Sequence, residues 1–172
     1  QNVAAQRPRQ IAGKKIAYLL LGDGSSPTGA VLNARKLTAE DKVDVIIGPN
    51  TTPSALAMID VAAESQTPML ALAASSSIVL PMDAKRHWIF KTPQNDSLMV
   101  LAILEHAAKR GMKTMAYIGF NDALGEAFYA EFEKFAEARK IKIVASERFA
   151  PRETSGKAQE DKLMASKPGL GG

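Results

Sequence analysis

Short apolar runs that end in turn residues, each followed by a segment of helical periodicity, alternate along this chain of 172 residues. The first run, Ile16-Ala17-Tyr18-Leu19-Leu20-Leu21, is closed by Gly22-Asp23-Gly24 and reads as a buried strand. Ser26-Pro27-Thr28 then opens a helix with proline in its first turn, and Val31, Ala34, Leu37 and Thr38 recur at helical spacing to about residue 41. Residues 43–47 form a second apolar run that stops at Gly48-Pro49, and a helix from 51 or 52 to 64 follows, again with a proline, Pro53, near its start. Residues 68–72 make a third strand that runs into Ala73-Ala74-Ser75-Ser76-Ser77. Strands and helices in strict alternation with short connections predict an α/β fold with parallel sheets and right-handed crossovers.

Residues 81–92 break the pattern with charge, the only tryptophan (Trp88) and a brief extended stretch, so they read as a linker or hinge and not as another repeat unit. The division expected there gives a first unit over 1–91 and a second over 92–172, with the crossover near 90–96. The same grammar then restarts. Asn95 or Asp96 caps a helix over 97–110 that stops at Gly111. A strand over 114–119, a helix over about 123–139 with Phe128, Phe132 and Phe135 on one face, a strand over 142–149 and a last helix over 155–166 complete the series.

Composition excludes several function classes. With no cysteine there are no disulfides, thiolate nucleophiles or cysteine-held metals. The two histidines, His87 and His106, stand far apart with no carboxylate or second histidine at ligand spacing, so neither metal nor cofactor is expected. The net charge of +4 raises nucleic acid as a partner, but the basic pairs (Arg35-Lys36, Lys109-Arg110, Arg139-Lys140) fall at helix ends, where cations suit the dipole, so no nucleic-acid role is expected. No apolar run approaches the roughly 20 residues that span a bilayer. Residues 1–10 carry no apolar signal-peptide core, so any signal is read as absent or already removed. Gly22-Asp23-Gly24 lacks the glycine of a dinucleotide fingerprint, and neither a phosphate-binding loop nor a G-x-S-x-G elbow occurs.

In open parallel sheets ligands gather at the carboxyl ends of strands, where loops and helix N-termini converge. Three loops qualify here. Gly48-Pro49-Asn50-Thr51-Thr52-Pro53 sets amide and hydroxyl groups at a helix N-terminus that favours an anion; plain capping by Thr51 or Thr52 is the competing reading. Ala73-Ala74-Ser75 offers backbone groups with no bulky side chain in the way, or simply a tight loop. Asn121-Asp122-Ala123-Leu124-Gly125 is a polar loop at another helix start, with Asp122 as a ligand group or only a cap.

Asp23-Gly24-Ser25-Ser26-Pro27-Thr28 with Asn33-Ala34-Arg35-Lys36-Leu37, then Val45-Ile46-Ile47-Gly48-Pro49, then Phe90-Lys91-Thr92-Pro93-Gln94-Asn95-Asp96-Ser97 occur in order. Jointly they resemble the periplasmic solute-binding proteins of branched-chain amino-acid (Leu/Ile/Val-binding) ABC transporters. The resemblance implies a type I periplasmic-binding fold of two Rossmann-like, doubly wound lobes that close on a ligand about a hinge, with Thr92-Pro93 as the first crossover. It implies no catalysis: the protein captures an amino acid or other small carboxylate in the periplasm and delivers it to a membrane permease. Asn50, Thr51, Thr52, Ala73, Ala74 and Ser75 fall on first-lobe ligand positions, and Asn121, Asp122 and Leu124 on the second-lobe loop. Relatives often carry tyrosine where this chain has Leu124, so an aromatic contact there is not expected.

Two other readings compete. The same fold serves as the sensing part of regulators and receptors, which adds a DNA-binding or membrane element; a flavodoxin-like or hydrolase-like enzyme needs a catalytic constellation not found here. The resemblance also implies strands and returning segments beyond those seen between residues 11 and 166, so each lobe reads as partly present, with strand edges exposed. The 172-residue polypeptide is therefore expected to melt with weak cooperativity in calorimetry; a sharp transition of a monomer would contradict this.

Overall fold

The computed structural model describes residues 10–169. It opens with an antiparallel hairpin of two-residue strands, β1 (Gln10–Ile11) and β2 (Lys14–Lys15). Residues 16–21, expected as the first buried strand, pair with no other strand among the described residues, and Leu20 is 88% and Tyr18 55% exposed. Sequence pattern alone does not make a strand: without a neighbour to take its N–H and C=O groups, an apolar run stays extended and wet. The turn that closes it does form, through Ser25 N–H donating to Asp23 Oδ1 (2.9 Å) and Ser26 N–H to the Asp23 carbonyl (3.0 Å).

Helix α1 (Pro27–Arg35) has Ser26 as its cap and Pro27 in its first turn, and passes into a wider π turn, Lys36–Glu40. Ala30 and Ala34, small enough for close approach, are buried against α2 (Thr52–Glu64). The first sheet is parallel, in the order β3 (Ile46–Ile47), β4 (Met69–Ala71), β5 (Ile89–Lys91). Its register, Ile46 beside Met69 beside Ile89, puts those side chains and Ala71 into one core with Ala55, Met58, Ile59 and Ala62 of α2. The period-two alternation turns Ile47 and Phe90 outward, 63% and 55% exposed.

Within residues 81–92, read as a linker or hinge with a brief extended stretch, that stretch becomes strand β5 and joins the first sheet, so the segment is not linker throughout. Three residues flanked by charge and Trp88 carry too weak a local pattern, and it is pairing with β4, through Leu70 opposite Phe90, that makes them a strand. The helix-capping expectation for Thr51 or Thr52 also fails: Thr51 holds the N-cap position of α2 but its side chain caps nothing.

A second core follows. Helix α3 (Asp96–Lys109) buries Val100, Leu104 and Ala107 against Phe132 and Ala136 of α4 (Ala123–Ala136) and against Ile141. Phe128 and Phe135 pack on the same cluster, as the spacing of the phenylalanines implies. Beneath lie β6 (Thr114–Phe120) and β7 (Lys142–Phe149), parallel from Thr114–Lys142 to Phe120–Phe149 with one slip between Met115 and Ala116. Helix α5 (Lys157–Ala165) buries no residue and is tied to β7 by Lys162 and Glu147 (3.2 Å) and by Gln159 donating to the Arg148 carbonyl (3.3 Å).

Hydrogen exchange on the 172-residue chain should separate these segments. Amides of β4 and of the middle of β6 should be protected, and those of residues 16–21 should exchange at nearly the free-peptide rate. Equal protection of Leu20 and Leu70 would contradict the unpaired run.

Candidate functional site

The ladder of the first sheet continues past its strands and draws three loops to one edge. Gly48 N–H donates to the Leu70 carbonyl (3.0 Å), Leu72 N–H to that of Pro49 (2.9 Å) and Thr92 N–H to that of Ala71 (3.1 Å). The loops after β3, β4 and β5 therefore leave the sheet side by side. At the start of α2 the hydroxyls of Thr51, Thr52 and Ser54 are all buried without a hydrogen-bond partner. Thr52 and Ser54 are 1% and 0% exposed. In the first turn of α2 these hydroxyls have no helical carbonyl four residues back to bond to, unlike Ser65 at its far end, which donates to the Val61 carbonyl (2.7 Å). Leaving such a group unpaired costs about 1–3 kcal/mol. The three hydroxyls lie at the N-terminal end of a helix, where free N–H groups and the positive end of the dipole favour an anion.

The loop after β4 is internally fixed. Ser75, fully buried, accepts from Ser77 N–H (3.3 Å) and shares a 2.8 Å hydrogen bond with the Ser77 hydroxyl, so its side chain is engaged in the turn Ser76–Ile78. Ala73 is buried, Ala74 half-buried and Asn50 exposed. Two residues outside the sequence-derived set also hydrogen-bond to this loop. Asp96, fully buried, accepts from Ser76 N–H (3.2 Å) and Ser97 N–H (3.1 Å) on Oδ1, while its Oδ2 is buried with no partner. Lys91 donates from Nζ to the carbonyls of Ala74 (3.0 Å) and Pro93 (2.8 Å). Burial lowers the Lys91 pKa from the ordinary lysine value, opposed by the nearby charge of Asp96.

Sequence reasoning passed over Asp96 because a carboxylate at a helix start reads as a cap, and Lys91 because it lay in the supposed linker. Ser54 carries no local signal, being one small residue on an apolar helix.

At the edge of the second sheet, Asn121 is exposed and donates its N–H to the Phe149 carbonyl (2.8 Å). Asp122 caps α4, its Oδ1 accepting from Leu124 N–H (2.9 Å) and Gly125 N–H (3.0 Å), so the capping reading is the one its contacts show. Leu124 is half-buried. Tyr117 braces the loop by donating to the Gly125 carbonyl (2.7 Å). Arg148 forks onto Glu126 (2.6 and 3.3 Å) between the rings of Tyr117 and Tyr129, 4.9 and 4.4 Å from their centroids. Its hydrogen bond holds the Glu126 carboxyl below the usual carboxylate range, and burial pushes the Tyr117 phenol up. Among the described residues no side-chain hydrogen bond joins the 121–125 loop to the loops at 50–54 or 73–77, and no group of three His, Cys, Asp or Glu could hold a metal.

Gly125 is buried, and a Cβ there would overlap the Phe120 carbonyl oxygen. Gly125→Ala should lower stability by about 1–3 kcal/mol in chemical denaturation, whereas Gly156→Ala, at an open position, should change it by less than about 0.5 kcal/mol. Equal effects would contradict the close approach.

Residues 4–171 match the family described as periplasmic binding protein. Among solved structures, an extracellular ligand-binding receptor from Rhodopseudomonas palustris HaA2 is 42% identical and superposes with a TM-score of 0.93 over 96% of this chain and 46% of its own. An ABC transporter solute-binding protein from Rhodopseudomonas palustris BisB5, solved with 3,4-dihydroxy benzoic acid, is 27% identical, with a TM-score of 0.84 over 93% of this chain and 43% of its own. Glutamate receptor 2.4 of Arabidopsis thaliana is 29% identical over 142 residues, which is 81% of this chain and 16% of that receptor. The chain thus spans a little under half the length of the solved relatives it matches.

Proposed function

The chain belongs to the periplasmic binding protein family, and from that premise we propose that it carries ligand-binding surfaces of the solute-binding component of an ABC importer. In this reading it captures a small carboxylate outside the cytoplasm, hands it to a membrane permease and performs no chemistry. The observation that carries the reading is the trio of unpartnered hydroxyls, Thr51, Thr52 and Ser54, at the N-terminus of α2. A carboxylate seated there would accept from them and from the helix N–H groups, replacing three orphaned contacts with charge-assisted hydrogen bonds. Asn50, Ala73, Ala74 and Ser75 line the same end of the sheet. Asn121, Asp122 and Leu124 would close over the ligand from a second lobe over 92–172, turning against the first, 1–91, at the crossover.

The unpaired Oδ2 of Asp96 adds a requirement: the ligand should present a hydrogen-bond donor as well as a carboxylate. A hydroxylated aromatic acid meets it with a phenol, and the relative solved with 3,4-dihydroxy benzoic acid supports that class. An amino acid meets it with an ammonium, which the negative charge of Asp96 favours and which keeps the branched-chain reading as the second choice.

Thermal-shift and calorimetric titration with 3,4-dihydroxybenzoate, 4-hydroxybenzoate, benzoate and leucine test this. At least one should raise the melting temperature of the purified protein. Thr52→Val should weaken it at least tenfold, about 1.4 kcal/mol, without lowering the melting temperature of the free protein, because the hydroxyl it removes is unpaired there. If none of the four stabilises the protein, the reading fails.

A further inference from the structure

Lys91 is the last residue of β5, and the next four residues are the crossover from the first core to α3. Its ammonium bridges two carbonyls that belong to different tasks: Ala74 O (3.0 Å) lies in the loop after β4, and Pro93 O (2.8 Å) lies in the crossover itself. Two carbonyls are both acceptors and cannot bond each other, so only a donor with several hydrogens can join them, and an ammonium supplies three. The charge strengthens both bonds, and removing the donor would leave two acceptors competing for water. A second tie runs parallel, from Asp96 Oδ1 at the far end of the crossover to Ser76 N–H, two residues beyond Ala74. The crossover is thus fastened at both ends to one three-residue stretch, 74–76.

From this geometry we infer that Lys91 is a positioning residue that couples the loop over 73–77 to the crossover, so that seating a ligand on the loop and moving the crossover are one event. The inference rests on the carboxylate-binding reading above. Ala73, Ala74 and Ser75 bear on the ligand only if their loop keeps one conformation, and Lys91 and Asp96 fasten that loop to the crossover. With the Lys91 bridge cut, the crossover would move without the loop, and ligand occupancy would no longer be transmitted between the two sheets. This is a role in binding and closure, distinct from holding the core, because Lys91 lies outside both apolar clusters.

The experiment compares wild type with Lys91→Met, which keeps the apolar stem and removes the donor, and Lys91→Arg, which restores charged donors. The probe is whichever of the four carboxylates above gives the largest thermal shift with wild type. Stopped-flow dissociation rates and small-angle scattering with and without saturating ligand are read for each. Lys91→Met should bind about tenfold more weakly, mainly through faster dissociation, and should show less ligand-induced compaction, while Lys91→Arg recovers most of both. Should the Met variant fail to fold, Lys91→Gln against Lys91→Arg makes the same comparison. Wild-type affinity and compaction in Lys91→Met would overturn the inference while leaving the binding reading intact; failure of wild type to bind any of the four would remove the reading beneath it.

Discussion

The parallel register of the first sheet is the constraint on which the rest depends. Because Ile46, Met69 and Ile89 sit abreast, the carboxyl ends of β3, β4 and β5 finish at one edge, and their loops are held together by backbone hydrogen bonds just beyond the strands. An antiparallel neighbour would send one of those loops to the opposite end. The apolar side chains on the inner face hold α2 against this sheet, and so fix where its N-terminus points its free N–H groups.

The hydroxyls of Thr51, Thr52 and Ser54 and one oxygen of Asp96 are withheld from water without partners, at a point where the surrounding loops are otherwise closely hydrogen-bonded. Just past the C-terminus of α2, Ser65 donates to the Val61 carbonyl (2.7 Å), while Glu131 Oε2 and Gln159 Oε1 are two further buried atoms without partners. In the carboxylate-binding reading proposed above, a ligand would supply the partners that the three hydroxyls and Asp96 lack, without the reorganisation that a collapsed, self-satisfied pocket would need. The second sheet prepares its loop differently, through Tyr117, Arg148 and Glu126 bracing the first turn of α4.

Where local pattern and tertiary pairing agree, the elements could be read in advance. The strand at 142–149 coincides with β7, and the phenylalanines of α4 face the core that their spacing implies. The two departures share one cause, since pairing is not a local property: residues 16–21 look like a strand and have no strand neighbour among the described residues, whereas the brief extended stretch at Ile89–Lys91 gains one in β4. At the site, the loops were legible because glycine, proline and hydroxyl residues cluster at strand ends. Asp96 and Lys91 were not, because their roles come from contacts with residues about twenty positions earlier in the chain. The sequence offers Thr51 and Thr52 either as ligand groups or as caps, and the folded chain shows that neither side chain caps the helix.

A crystal structure of the protein with 3,4-dihydroxybenzoate, solved together with the free form, shows whether the start of α2 holds the carboxylate. Carboxylate oxygens should lie about 2.7–3.2 Å from Thr52 Oγ1 and from backbone N–H groups at the start of α2, with a ligand hydroxyl on Asp96 Oδ2. A bound ligand that leaves Thr52 Oγ1 and Asp96 Oδ2 unpartnered would contradict this.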